Sequence, residues 1–121
     1  MVVCYTDARP GDRERLDAVF HALGDPTRRD IVRCVLLAEH SVSALARNYP
    51  MSFAAVQKHV AALEHADLVV KRRHGREQLV RANIDTVRRA TRLLDHYEQL
   101  WRERVDRMTD ILDEETKGAP A

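Results

Sequence analysis

Little in this chain interrupts regular structure. Four Gly and four Pro in 121 residues leave room for long elements. Aromatic residues make up only 5%, so aliphatic and β-branched side chains must build the core. The two cysteines, Cys4 and Cys34, exclude a disulfide framework and make the cytoplasm the expected compartment. No apolar run approaches the ~18 residues of a membrane span, so no membrane partner is expected. Met1 to Pro10 includes Asp7 and Arg9 and lacks an apolar stretch, so no secretory signal is expected. No repeat or low-complexity segment is visible. What is present, 45% hydrophobic and 32% charged residues, suits one folded, soluble domain.

The formal net charge of +1 at first speaks against a nucleic-acid partner. Its distribution reverses that. Residues 1–40 hold six Lys/Arg against seven Asp/Glu, residues 41–82 seven against three, and residues 83–121 seven against nine. The middle is basic, and Lys71, Arg72, Arg73, Arg76 and Arg81 crowd together with only Glu77 opposing. Such a stripe is a local electrostatic footprint. Taken alone, it also admits a solvated charged hairpin.

The spacing predicts a loose arm over residues 1–11, a folded domain over 12–115 and a frayed tail over 116–121. The first helix spans about 12–23, with Leu16, Val19, Phe20 and Leu23 on one face. Gly24-Asp25-Pro26 breaks it. Asp25 is an N-cap and Pro26 suits the first turn of a second helix. That helix runs to about Ala38 with Ile31, Cys34, Val35 and Ala38 inward. Ser43 caps a short third helix through Asn48, with Leu45 and Ala46 inward. Pro50 stops it, because the residue before proline avoids the helical conformation. Ser52 caps a fourth helix, 53–65, whose apolar face carries Val56, Val60 and Leu63. Strands at 68–73 and 76–81 flank His74-Gly75, where glycine takes positive φ without strain. They must lean on the helices through Val70, Leu79 and their neighbours.

From about 85 to 115 the chain has no Pro or Gly. Val87, Ala90, Leu94, Tyr97, Trp101, Val105, Met108 and Leu112 form a near-heptad seam, widened by Leu93, Leu100 and Ile111. At ~1.5 Å per residue this helix is ~46 Å long, more than a globule of this size spans. Its seam therefore expects a second copy of the chain. A helix folded back over its own core is the other way to cover it.

The fold class expected is mainly α with a small β-hairpin: four helices, two strands and a long C-terminal dimerisation helix. Short helix, tight turn, second helix and basic hairpin is the order of a winged helix-turn-helix. Ala46, Pro50 and Val56 supply the small residue at the helix crossing, the turn and the branched filler between the helices. Pro50 cannot supply positive φ, so an extended Tyr49 is expected to make the turn.

Two segments sharpen this. Phe20-His-Ala-Leu-Gly-Asp-Pro-Thr-Arg-Arg-Asp-Ile-Val-Arg33 resembles the opening signature of the ArsR-type winged-helix transcriptional regulators. Val56-Gln-Lys-His-Val-Ala-Ala-Leu-Glu-His-Ala-Asp-Leu-Val69 resembles their recognition helix and its exit. Gln57, Val60 and Asp67 stand where Ser, Leu and Gly are common. The similarity covers about residues 14–112. It implies a homodimer built from the first and last helices, through Leu16, Phe20, Leu94, Tyr97, Trp101, Val105 and Met108. It also implies repression at an operator on double-stranded DNA, released in many members by a metal or redox signal.

The first residues of a recognition helix reach the major groove, which nominates Ser52, Phe53, Ala54, Gln57 and Lys58. Gln57 can pair with adenine, Ala54 can touch a thymine methyl, and Lys58 suits phosphate or guanine. Phe53 either packs on a thymine or braces the helix. His59 is expected as a DNA-backbone contact or a packing residue, not a ligand. Arg72, Arg73 and Arg76 are placed to hold phosphates or enter the minor groove.

No metal site, cofactor or enzymatic centre is expected. Val42 to Asn48 lacks the Cys-x-Cys of metal-sensing relatives. Asp95 and His96 are adjacent on a helix and diverge by ~100°. Cys34 reads as a buried structural thiol, although a redox pair with Cys4 in the arm stays open. The effector, small molecule or redox, is unknown. The competing function is a winged-helix protein-interaction module that dimerises without specific DNA binding.

Overall fold

A computed structural model of the chain describes residues 11–118. Most of the expected arm, including Cys4, lies outside the described residues, as does the tail beyond 118. The order is α1 (Asp12–Leu23), α2 (Pro26–Leu37), β1 (His40–Ser41), α3 (Val42–Ala46), α4 (Phe53–His65), β2 (Val69–His74), β3 (Glu77–Ala82) and α5 (Ile84–Gly118). They form two compact units, one reaching to Ala90 and one starting at Thr91.

In the first unit, α1 buries Val19 and Ala22, and α2 buries Ile31, Val32 and Val35. Asp25 caps α2: its Oδ1 accepts the Arg28 backbone N–H at 3.1 Å, with Pro26 in the first turn. Ala38, expected on the inward face, is instead the exposed C-cap. The backbone there is already extended (φ −166°, ψ 154°), so the helical period stops before reaching it.

Two further expectations are corrected between α2 and α4. Ser41, not Ser43, caps α3. Its Oγ accepts the Ala44 N–H at 3.0 Å from an extended backbone, whereas Ser43 lies inside the helix. His40 and Ser41 also form a strand, paired with Val80 and Leu79. The sheet is therefore three-stranded, ordered β1-β3-β2. A two-residue strand has no periodicity from which it could be read.

β2 and β3 start one residue later than expected. They pair antiparallel from Val69↔Ala82 to His74↔Glu77, with Gly75 at φ +62° in the turn. Directly opposed residues share a face. Val69, Lys71 and Arg73 thus lie on one side with Ala82, Val80 and Gln78. Val69 and Val80, diagonal neighbours on that side, are buried, while Val70, opposite Arg81, is 37% exposed. Val70 is therefore not an inward anchor: a period of two puts adjacent residues on opposite faces.

The core joins these elements through Ile31, Leu45, Val56, Leu63, Leu68 and Val80, each fully buried. Each such side chain contributes about 1.5–3 kcal/mol relative to exposure. The start of α5 belongs to this unit, with Thr86 and Ala90 buried. The Thr86 hydroxyl accepts from Arg89 at 3.1 Å.

In the second unit, α5 continues helical through Thr116 to Gly118, beyond its expected end. The Thr116 hydroxyl donates to the Leu112 carbonyl at 2.9 Å. Leu94, Tyr97, Leu100, Trp101, Val105 and Met108 are all exposed. Arg104 lies over the Trp101 ring, 5.7 Å from its centroid, and Glu98 pairs with Arg102 one turn on.

Candidate nucleic-acid interface

The turn before α4 is built without a left-handed residue; among the described non-glycine residues only Asp67 has positive φ. The Met51 N–H bonds the Tyr49 carbonyl across Pro50 at 2.9 Å, a three-residue turn that suits the fixed φ of proline. Ser52 then caps α4, its Oγ accepting the Ala55 N–H at 3.1 Å. At α4's far end, the Asp67 N–H bonds Glu64 O and the Leu68 N–H bonds Leu63 O, both at 3.0 Å. That pattern closes the helix through Asp67 at φ 61°.

Between these ends, Val56, Val60 and Leu63 hold α4 to the core. Ala54, Gln57 and Lys58 fall within an arc of about 100° on the opposite side, by 3.6 residues per turn. All three are exposed, as is Ser52. Phe53, at the start of α4, is 47% exposed. His59 sits at the edge of the apolar stripe, half-buried, where its Nδ1 accepts from Arg28 Nε at 3.2 Å.

On the wing, Arg72, Arg73 and Arg76 are exposed. The alternation of β2 sends Arg72 and Arg73 to opposite faces of the ribbon. Arg72 is not an open cation: it grips Glu39, in the link between α2 and β1, through Nε at 3.3 Å and a terminal nitrogen at 3.0 Å. This hydrogen bond is the main reason the Glu39 carboxyl lies below the usual carboxylate range. Lys71 reaches Glu64 at 3.3 Å and ties the ribbon to α4.

A second polar cluster, which the sequence pattern did not suggest, stands behind the turn. The Tyr49 hydroxyl donates to Asp30 Oδ2 at 2.6 Å, and Arg33 bonds the other carboxylate oxygen at 3.1 Å. Tyr49 first, then Arg33, hold the Asp30 carboxyl below its ordinary range. Burial first, then the Asp30 bond, push the Tyr49 hydroxyl up. Cys34 Sγ lies 3.8 Å from Asp30 Oδ2 and 3.7 Å from an Arg33 nitrogen. It packs against the hydrophobic core from the apolar face of α2, as expected, but is half-buried and lies beside a carboxylate instead of being fully enclosed. Position i+4 from Asp30 was the available signal, since it stacks the two side chains on α2.

Leu16 is half-buried and Phe20 36% exposed on α1. Among the described residues, no group of three or more His, Cys, Asp or Glu side chains could hold a metal ion. No helix among them is long and apolar enough to cross a membrane.

No family model and no curated protein matches the chain. Solved structures do. An ArsR-like transcriptional regulator from Rhodococcus sp. RHA1 shares 34% identity over 84% of this chain and 95% of that one, with a TM-score of 0.70. The ArsR family transcriptional regulator RHA00566 shares 27% identity over 74% of this chain and 93% of that one, also at a TM-score of 0.70. A homodimeric winged helix-turn-helix DNA-binding domain from Mycobacterium bovis is alike in fold. It has 22% identity over 81% of this chain and 92% of that one, and a TM-score of 0.62.

Proposed function

The chain belongs to the ArsR family of winged helix-turn-helix DNA-binding transcriptional regulators, and from that premise we propose that it is a dimeric repressor acting at a palindromic operator. The family is one of regulators, not of enzymes. The observation that carries the proposal is the shared exposure of two surfaces in the first unit: the polar arc of α4 and the arginines of the β2–β3 ribbon.

Ala54, Gln57 and Lys58 would read base edges and phosphate from α4, with Ser52 and Phe53 at its entry. Arg72, Arg73 and Arg76 would neutralise phosphates and release counterions, giving affinity that is steep in salt but blind to sequence. His59 would contact the backbone. The exposed stripe of Leu94, Tyr97, Trp101, Val105 and Met108 supports a second copy as partner, with Leu16 and Phe20 of α1 joining the interface. A two-fold dimer places its recognition helices in successive major grooves, ~34 Å apart, so the preferred DNA is an inverted repeat. Occupying such a site in front of a promoter blocks transcription.

Selection from a random DNA pool, with footprinting of the winning sequence at rising salt, tests this. A symmetric site protected with steep salt dependence is the expected result. A protein that selects nothing, or that binds all sequences alike, is not a sequence-specific repressor.

A further inference from the structure

Val56, Val60 and Leu63 fasten α4 to the core. Apolar contacts have no direction, so alone they leave a helix some freedom to roll about its axis. Two directional contacts reach this region from α2: Arg28 Nε to His59 Nδ1 at 3.2 Å on α4, and Asp30 with Tyr49 in the preceding turn. We propose that Arg28 is a positioning residue for DNA binding, which fixes the Nε2-protonated neutral form of His59 and so aims the His59 Nε2–H at the DNA backbone. This rests on α4 being the recognition helix.

The chemistry leaves one tautomer. A guanidinium is a donor at every physiological pH and never an acceptor. His59 Nδ1 must therefore present a lone pair, and the neutral ring then carries its proton on Nε2. Arg28 is itself anchored, its backbone N–H bonded to the Asp25 cap. Hence the ring is held from one side while its remaining donor is left for a phosphate oxygen.

Protonating His59 puts a hydrogen on Nδ1, breaks the Arg28 bond and sets an imidazolium beside a guanidinium. On α2, the nearby Asp25 carboxylate is taken up by the Arg28 backbone N–H. On α4 the residues one turn away, Ala55, Val56, Ala62 and Leu63, carry no charge, and the adjacent Lys58 is an exposed cation. α3 has no charged residue, Lys71 on β2 is engaged by Glu64, and α1 offers His21, exposed in its last turn. A histidine that simply meets phosphate binds DNA more tightly on acidification. His59 should do the opposite, because the charged ring loses the contact that orients it.

Imidazole nitrogen NMR of the full chain near neutral pH reads the tautomer directly. His59 should show an unprotonated Nδ1 and a protonated Nε2, and Arg28→Met should yield a tautomer mixture. Arg28→Lys, which keeps a side-chain donor that cannot accept, should restore the single form. Binding of the selected operator between about pH 7.5 and about pH 5.5, the range in which histidines titrate, gives the second readout. His74 on the wing is common to every variant, so the comparison is relative: wild-type affinity should fall severalfold against that of His59→Gln, and Arg28→Met should bind more weakly at the upper pH and lose that relative fall. A wild-type His59 protonated on Nδ1, or a His59→Gln profile like the wild type's, overturns the proposal. If no DNA is selected at any pH, the function proposed above falls instead, and this inference with it.

Discussion

Tyr49, in the turn before α4, donates a 2.6 Å hydrogen bond to the Asp30 carboxylate on α2. The bond ties the helix-turn-helix turn to the body of the first unit. Tyr49→Phe removes it and should cost about 1 kcal/mol, below the usual range for a bond to a charged group because the Asp30 side chain is 40% exposed. Thermal unfolding should shift down by roughly 4 °C. The Asp30 carboxyl is held below its ordinary range. Its contribution is therefore complete above the ordinary value of about 4 and is lost as pH falls through the lower folded value. Melting curves at pH 7 and in strong acid should show the wild-type advantage at the first and little of it at the second.

Arg72 and Glu39 form a two-pronged pair, at 3.0 and 3.3 Å, that competes with phosphate for the same guanidinium. Glu39→Gln should release Arg72 and raise DNA affinity by a few fold at low salt, with little change in melting temperature. Fluorescence anisotropy across a salt series checks it. An unchanged affinity would mean that Arg72 keeps away from DNA.

Gln57 and the wing arginines are expected to fail in different ways. Gln57→Ala should relax the preference for one A·T pair while total binding to random DNA persists. Arg76→Ala should weaken binding to every sequence alike and reduce the salt slope by about one. Repeating the pool selection with each variant separates the two.

Asp67 ends α4 at φ 61°, a conformation that glycine adopts without strain. Asp67→Gly should stabilise the protein by about 0.5 kcal/mol, the relief of left-handed strain being partly offset by the freer unfolded chain. Chemical denaturation should move to a higher midpoint at unchanged slope. A drop in stability would show that the Asp67 side chain contributes something its backbone does not reveal.

Trp101 is 60% exposed in the middle of the α5 stripe. Trp101→Asp places a charge at the centre of the proposed interface and should shift a dimer to monomers at micromolar concentration. Sedimentation velocity reads the mass. The circular dichroism of the variant should retain its helical signal, because the core residues up to Ala90 are untouched.

Much of this was legible in the chain order. Asp25 and Ser52 were identifiable as caps because a short polar side chain ahead of an apolar-periodic run has a specific task, bonding a backbone N–H that the helix leaves free. The apolar face of α4 followed from spacing, and the basic ribbon from the charge count; α1 turns Val19 and Ala22 inward and leaves Phe20 exposed. Three features were not legible. Strand β1 is two residues long and is created by its pairing with β3. The inward face of β2 depends on where the strand starts, and a one-residue difference exchanges Val69 for Val70. The partners of Arg72, Arg28 and Tyr49 are 33, 31 and 19 residues away in sequence, so no local pattern could pair them.

The sequence by itself determined that the chain alternates helices with a basic ribbon, and that its neutrality is a sum of opposite regions. It did so because helical periodicity, capping and proline geometry act within a few residues of one another. Only the tertiary structure decided which of the exposed cations are already engaged, and that Asp30 holds the turn before α4 and Arg28 holds His59 on it. Those contacts join α2 to the turn, to α4 and to the wing. They exist because the core brings distant segments within hydrogen-bonding reach, and directional bonds then fix what apolar packing leaves loose.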